Sequence, residues 1–198
     1  MSGLTELYEE IARCYDCELS RNRTRVVPGE GREDADIVFI GEAPGYYEDQ
    51  QGRPFVGQAG RYLEELLASI GFNRSQVYIC NVIKCRPPAN RDPLPHEIKA
   101  CQKWLDRQLE IIAPKMIVSL GRYPLARFFP GEAISKIHGR ARKREGIIYY
   151  PMYHPAAALH QQTLHHSIEQ DMRKIPSLLA EVEKAEEEEP RPQQLSMF

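Results

Sequence analysis

Apolar residues recur along this chain in two spacings. Leu4, Leu7, Tyr8 and Ile11 follow the i, i+3, i+4, i+7 rule of one helix face and lead into Cys14. Residues 35–40 (ADIVFI) form instead a short apolar run closed by Gly41, the pattern of a strand buried on both faces. Residues 41–56 lack a helical period, hold three Gly and two Pro, and read as a loop. Leu63, Leu66, Leu67 and Ile70 return to helical spacing, with Gly71 as the stop.

The second half repeats the alternation. Residues 77–83 (VYICNVI) read as a strand, 86–95 as a Pro-rich loop, and Ile98, Cys101, Leu105 and Ile112 as the apolar stripe of a long helix. Residues 116–120 (MIVSL) are a third strand ending at Gly121, followed by a short helix to Phe129. Residues 147–150 (IIYY) make a fourth strand before His154, and a last helix is expected to about Val182. Strands alternating with helices predict a three-layer α/β/α domain around a central four-stranded parallel sheet. Ligands bind such sheets at the carboxyl ends of the strands. Those ends carry residues 41–45, Asn81, Gly121 and His154.

Charge first argues against a nucleic-acid partner, because the net charge is -2. Its distribution changes that reading. Residues 181–191 hold six Glu against Lys184 and Arg191, so the remainder carries 26 − 2 = 24 basic and 28 − 6 = 22 acidic residues. Lys136, Arg140, Arg142, Lys143 and Arg144 fall within nine positions, as a basic surface would or, more simply, as a solvated charged loop. No apolar run approaches a membrane span, and the N-terminal stretch is acidic where a signal peptide would be basic. A cytoplasmic, monomeric protein is expected. Folding is assigned to residues 1–184, and the stretch from about Ala185 reads as a disordered acidic tail.

Five cysteines in such a compartment are expected to stay out of disulfides. Cys14 and Cys17 form a C-x2-C pair, while Cys85 lies in a loop and Cys101 on the next helix. Four thiolates suffice for tetrahedral zinc or for a [4Fe–4S] cluster, and spacing alone does not choose. Cys80, inside a strand, reads as a small buried hydrophobe.

Three loops carry candidate chemistry. Gly41-Glu-Ala-Pro-Gly45 lets a ligand approach the backbone, although an ordinary tight turn looks the same. Phe55, between Pro54 and Gly57, is a loop aromatic of the kind that stacks on a base. Asn81 inside an apolar strand needs partners for both ends of its amide, as a reader of a pyrimidine edge or as a structural tie. His154, at a strand end before Pro155, can donate to a developing anion.

Taken together, the blocks GEAPGYYEDQQGRPFVGQAG, VYICNVIKCRPPANRDPLP, VSLG and PMYHPAA resemble the family 4 uracil-DNA glycosylases of bacteria and archaea over about residues 4–175. The resemblance implies the uracil-DNA glycosylase fold, a single- or double-stranded uracil-containing DNA substrate, and flipping of uracil before its N-glycosidic bond is hydrolysed. It implies that Phe55 stacks on uracil, Asn81 reads its O4 and N3 edge, and His154 donates to O2. The Gly41–Ala43 backbone, Glu42 included, would line the pocket, and Glu48 would obstruct the methyl of thymine. Cys14, Cys17, Cys85 and Cys101 would hold a [4Fe–4S] cluster. Family 1 enzymes carry a water-assisting aspartate in the matching loop. Here that position is Ala43, so no general base is evident, and Glu42 is the adjacent candidate. The bond is then expected to break largely before water attacks. A non-catalytic iron–sulfur DNA-binding module and a small electron carrier are the competing readings; the set of Phe55, Asn81 and His154 argues against the first, and the HPAA and GRPFVG blocks and the chain length argue against the second. Finally, Gln194, Leu195 and Phe198 resemble a bacterial sliding-clamp-binding peptide on a Pro-containing tether.

Overall fold

The computed structural model describes residues 3–188, which build one sheet with helices on both faces. The helices are α1 (Gly3–Ala12), α2 (Leu19–Asn22), α3 (Tyr46–Gln51), α4 (Gln58–Ser69), α5 (Pro95–Ile112), α6 (Arg122–Phe128), α7 (Ile134–Ile137), α8 (Pro155–His160) and α9 (Thr163–Glu188). The strands are β1 (Glu30–Gly31), β2 (Ile37–Gly41), β3 (Tyr78–Asn81), β4 (Met116–Leu120), β5 (Arg142–Arg144) and β6 (Ile147–Met152).

The sheet has six strands in the order β1-β3-β2-β4-β6-β5. Its centre, β3-β2-β4-β6, is parallel throughout and consists of the four strands expected from the apolar runs. The expected count is corrected at the edges, where β1 and β5 pair antiparallel with β3 and β6. Both edge strands are too short and too polar to show as apolar runs: β1 is Glu-Gly and β5 is Arg-Lys-Arg.

Side chains alternate across the sheet and so divide the core in two. Ile37 and Phe39 face a layer made by Leu63 and Leu67 of α4 and by Ile168, Met172 and Ile175 of α9. Val38 and Ile40 face the opposite layer, with Leu7 and Ile11 of α1 and Trp104 and Leu105 of α5. Each fully buried aliphatic of this kind contributes about 1.5–3 kcal/mol of transfer free energy. The stop of α4 follows its sequence: Gly71 takes φ +80° and Phe72 N–H returns to Leu67 O at 2.9 Å.

Two further expectations are corrected. Residues 41–56 are not loop throughout, because Tyr46–Gln51 form a short helix between Gly45 and the left-handed Gly52, φ +72°. The last helix continues past Val182 to Glu188, through the first of the acidic residues assigned to the tail. Gln194, Leu195 and Phe198 lie outside the described residues. No helix among those described is long and apolar enough to cross a membrane.

Candidate active site

The carboxyl ends of β2, β3 and β6 converge on a cavity of about 170 Å³ lined by Ala43, Gly45, Glu48, Phe55, Ala59, Asn81 and His154. Four of the expected residues that line it, Glu48, Phe55, Asn81 and His154, contribute side chains with distinct chemistry.

Gly41 ends β2, and its lack of a side chain brings two of them together. A Cβ there would lie 2.5 Å from Asn81 Oδ1 and 2.6 Å from Phe55 Cζ. Asn81, at the end of β3, is 2 % exposed. Its Oδ1 is buried with no hydrogen-bond partner among the described residues, a state that costs about 1–3 kcal/mol. An acceptor in this state is open to a donor from a bound ligand or a water molecule.

Phe55 is held in a left-handed backbone conformation, φ +52°, that non-glycine residues rarely adopt. Its surroundings impose that conformation. Arg74 donates to Pro54 O at 2.6 Å and to Phe55 O at 2.9 Å. Glu48 Oε1 accepts from Val56 N–H at 2.9 Å and from Gly57 N–H at 3.0 Å. Glu48 therefore both faces the cavity and anchors the Phe55 loop, and the anchoring contact was not legible from its sequence position.

His154 follows β6 and caps α8. Its Nδ1 accepts from Ala156 N–H at 3.1 Å, so the ring proton sits on Nε2, available as a donor. The ring stacks on Phe55 with centroids 5.4 Å apart and planes 22° apart. Burial lowers its pKa from 6.5 to about 4, against a smaller opposing pull from the Glu48 charge. The imidazole is thus neutral at pH 7. A stability effect follows. Between about pH 6.5 and about pH 4 the unfolded chain binds a proton that the folded one does not. The contribution is fully present above pH 6.5 and is lost as pH falls to about 4. Urea titrations at those two pH values should show His154→Ala losing less stability on acidification than the wild type, by on the order of 2–3 kcal/mol. Equal losses would mean that His154 titrates normally.

Glu42 is placed differently from its expected role. It does not line the cavity, and its carboxyl lies beside the Asp92–Arg122 ion pair. Burial raises its pKa, Asp92 adds to the rise, and Arg122 offsets part of it. Gly41 and Glu42 contribute backbone to the neighbouring strand instead: Val82 N–H bonds Gly41 O at 2.9 Å and Ile83 N–H bonds Glu42 O at 3.2 Å. Ala59, near the start of α4, is a lining residue that no sequence signal marked, because a small residue in a first helical turn carries no chemistry to notice.

A second cavity lies between α1 and α5, and all four expected cysteine ligands line it. Three N–H donors aim at its sulfurs: Arg23 Nη1 at Cys85 Sγ (3.2 Å), Lys84 N at Cys101 Sγ (3.3 Å) and Trp104 Nε1 at Cys14 Sγ (3.4 Å). Burial pushes the Cys101 thiol up to about 12 and raises Cys17 and Cys85 as well. As thiolates they need a positive centre. Among the described residues no three His, Cys, Asp or Glu side chains converge closely enough for one metal ion. Cys80 is buried on β3 outside this cavity.

The sequence is similar to those of known proteins. The family model described as "Uracil DNA glycosylase superfamily" matches residues 28–177. A "Type-4 uracil-DNA glycosylase" of Sulfurisphaera tokodaii is 48% identical over 188 residues, covering 90% of this chain and 86% of that protein. Proteins of the same description from Archaeoglobus fulgidus and Thermotoga maritima are 46% and 44% identical, covering 90% and 89% of this chain and 94% and 90% of their own lengths. The chain belongs to the uracil-DNA glycosylase superfamily, with the type-4 enzymes.

Proposed function

We propose that this protein flips uracil out of DNA into the Asn81 cavity and hydrolyses its N-glycosidic bond, the opening step of base excision repair. The observation that carries this reading is the orphaned, buried Asn81 Oδ1 at the floor of a cavity walled by an aromatic ring and a neutral imidazole. Uracil N3–H supplies the donor that Oδ1 lacks, and its O4 accepts from the Asn81 amide. Phe55 covers the ring face. His154 Nε2–H meets O2, where charge grows as the bond breaks. Glu48, fixed by two backbone N–H groups, stands where the methyl of thymine would come.

Flipping a base costs a few kcal/mol, and stacking plus edge bonding offsets it. With Ala43 in the loop and Glu42 outside the cavity, the lining carboxylate is Glu48, whose Oε1 is already engaged by Val56 and Gly57 N–H, so no free base is evident. The bond therefore breaks with charge on the departing uracil stabilised by His154, and water adds afterwards. An oligonucleotide containing one uracil, incubated with the protein and then treated with alkali, should be cut at that position. Intact oligonucleotide with folded protein would overturn the reading.

Base choice gives a sharper test. Asn81→Asp places a carboxylate that accepts from the amino group of cytosine. Excision of cytosine should become detectable while uracil excision falls. Unchanged specificity would make Asn81 a structural residue.

The DNA strand would cross the mouth of this cavity. Tyr46 and Tyr47, 52 % and 59 % exposed, open α3 directly after cavity-lining Gly45, and the Arg86 guanidinium lies 5.1 Å over the Tyr46 ring. Exposed aromatic and cationic groups of this kind suit stacked bases and phosphates. Arg140 follows Gly139, whose N–H bonds Pro151 O near the end of β6 that carries His154, so part of the basic segment faces the same end of the sheet.

The four-cysteine cavity suits a [4Fe–4S] cluster held by Cys14, Cys17, Cys85 and Cys101. Zinc needs four sulfurs about 2.3 Å from one point, whereas a cluster spans a wider gap, and N–H groups aimed at sulfur are what cluster ligands require. The bound cluster would supply a rigid link between the segment after α1 and the loop after β3. Five free cysteines fit a reducing, cytoplasmic setting. We also read Gln194, Leu195 and Phe198 as a sliding-clamp peptide beyond the end of α9, with micromolar affinity. Fluorescence titration with the host clamp should show binding by the full chain and none by a version ending at Gln193. Equal binding would eliminate it.

A further inference from the structure

Lys84 lies between the two sites. It follows Asn81 by three residues and precedes Cys85 by one, and it is 1 % exposed. Its ammonium donates to Asn81 O at 2.7 Å and to Gln108 Oε1 at 2.6 Å. Both acceptors are neutral. Gln108 is fixed by donating to Pro28 O and to the Tyr78 hydroxyl, each at 2.8 Å, which turns its oxygen toward Lys84. Among the described residues no carboxylate pairs with this ammonium. Glu97, which lines the same cysteine cavity, is committed to Arg91 and to Leu94 N–H. A cation buried without a counter-charge is expensive, and proteins rarely retain one without a partner.

The partner is adjacent. Lys84 lines the cysteine cavity, and its backbone N–H donates to Cys101 Sγ. A [4Fe–4S] cluster with four thiolate ligands carries net negative charge, so occupancy of that cavity supplies what the ammonium lacks. We propose that Lys84 is the internal counter-cation of the cluster and at the same time the clamp on the Asn81 carbonyl, so that cluster occupancy sets the placement of the uracil-reading amide. This rests on the cluster reading above. It makes Lys84 a positioning residue: its ammonium reaches Asn81 through the backbone and does not line the uracil cavity.

The test uses the holoenzyme with Lys84→Gln and Lys84→Met. Both remove the charge, and glutamine keeps a donor while methionine keeps only the shape. In both, the cluster's reduction potential, followed by EPR during dithionite titration, should move to more negative values. Bleaching by EDTA should be about 10–100-fold faster. Only Lys84→Met should lose the hold on Asn81, with kcat falling about tenfold or more and Lys84→Gln recovering part of it. A purely packing role predicts wild-type potential and bleaching in Lys84→Met, and that result would overturn the proposal. Where neither variant folds, hydrogen exchange on wild-type protein before and after chelation decides. Amides of residues 81–84 should deprotect more than those of β4, and equal deprotection refutes the coupling. Wild-type protein purified without iron would instead take down the cluster reading itself, and Lys84 with it.

Discussion

His154→Ala should slow uracil excision by about 10²–10³-fold, the usual cost of one donor to a developing oxyanion. The imidazole cannot act as a cation here, because burial holds its pKa at about 4. It cannot donate through Nδ1, because that nitrogen accepts from Ala156 N–H. What remains is a neutral ring with one N–H, on Nε2, fixed in direction by the helix cap on one side and the Phe55 ring on the other. A neutral donor suits a departing uracil anion, since it stabilises the charge without having to surrender a proton. The loss should fall on the single-turnover rate. Affinity for an abasic oligonucleotide should change little, because that ligand lacks the O2 that His154 meets. Equal single-turnover rates in mutant and wild type would remove His154 from the chemistry.

Cys101→Ser should lose nearly all bound iron, from about four atoms per chain expected of a [4Fe–4S] cluster, and should yield little soluble protein. The reason is local. Cys101 sits on α5 facing α1 and the end of β3, in the same layer as Leu7, Ile11 and Trp104. An empty cavity there leaves a buried ammonium and three aimed N–H groups with weak acceptors. Cys80→Ser is the control: Cys80 is buried in that layer even more fully than Cys101 but lies outside the cysteine cavity, so its serine variant should keep its iron at a modest cost in thermal stability. Stoichiometric zinc in anaerobically purified wild type would decide for a single-ion site against the geometry argued above.

The elements legible in the sequence were those whose apolar period is long or continuous. β2, β3, β4 and β6 are mostly apolar runs, interrupted by Asn81 in β3 and Ser119 in β4, and α4 and α5 have clean stripes. The missed elements lack that signal. α3 reads Tyr-Tyr-Glu-Asp-Gln-Gln, which buries only Asp49, and β5 buries nothing. Phe55, Asn81 and His154 were legible because each breaks a local expectation: an aromatic in a loop, an amide in a strand, a histidine at a strand end. The roles of Arg74 and Lys84 were not legible, because a basic residue that works through backbone carbonyls leaves no mark on spacing. The direction of Glu42 was not legible for a related reason. Adjacency to a lining residue says nothing about direction when successive side chains at a strand end point opposite ways.

The two edge strands that escaped the sequence reading bear on how this protein behaves when concentrated. An open edge is a template on which another chain can add a strand. On one side the template is two residues long and includes a glycine. On the other it is Arg142-Lys143-Arg144, all exposed, with Arg142 and Arg144 lying 5.0 and 5.1 Å over the Phe129 ring. A neighbouring copy approaching that edge meets three cationic side chains, of which Arg142 is paired with Glu132. Exchanging those three residues for threonine would leave a neutral β-forming ribbon, and turbidity at high concentration would then be expected to rise without any change at the uracil cavity.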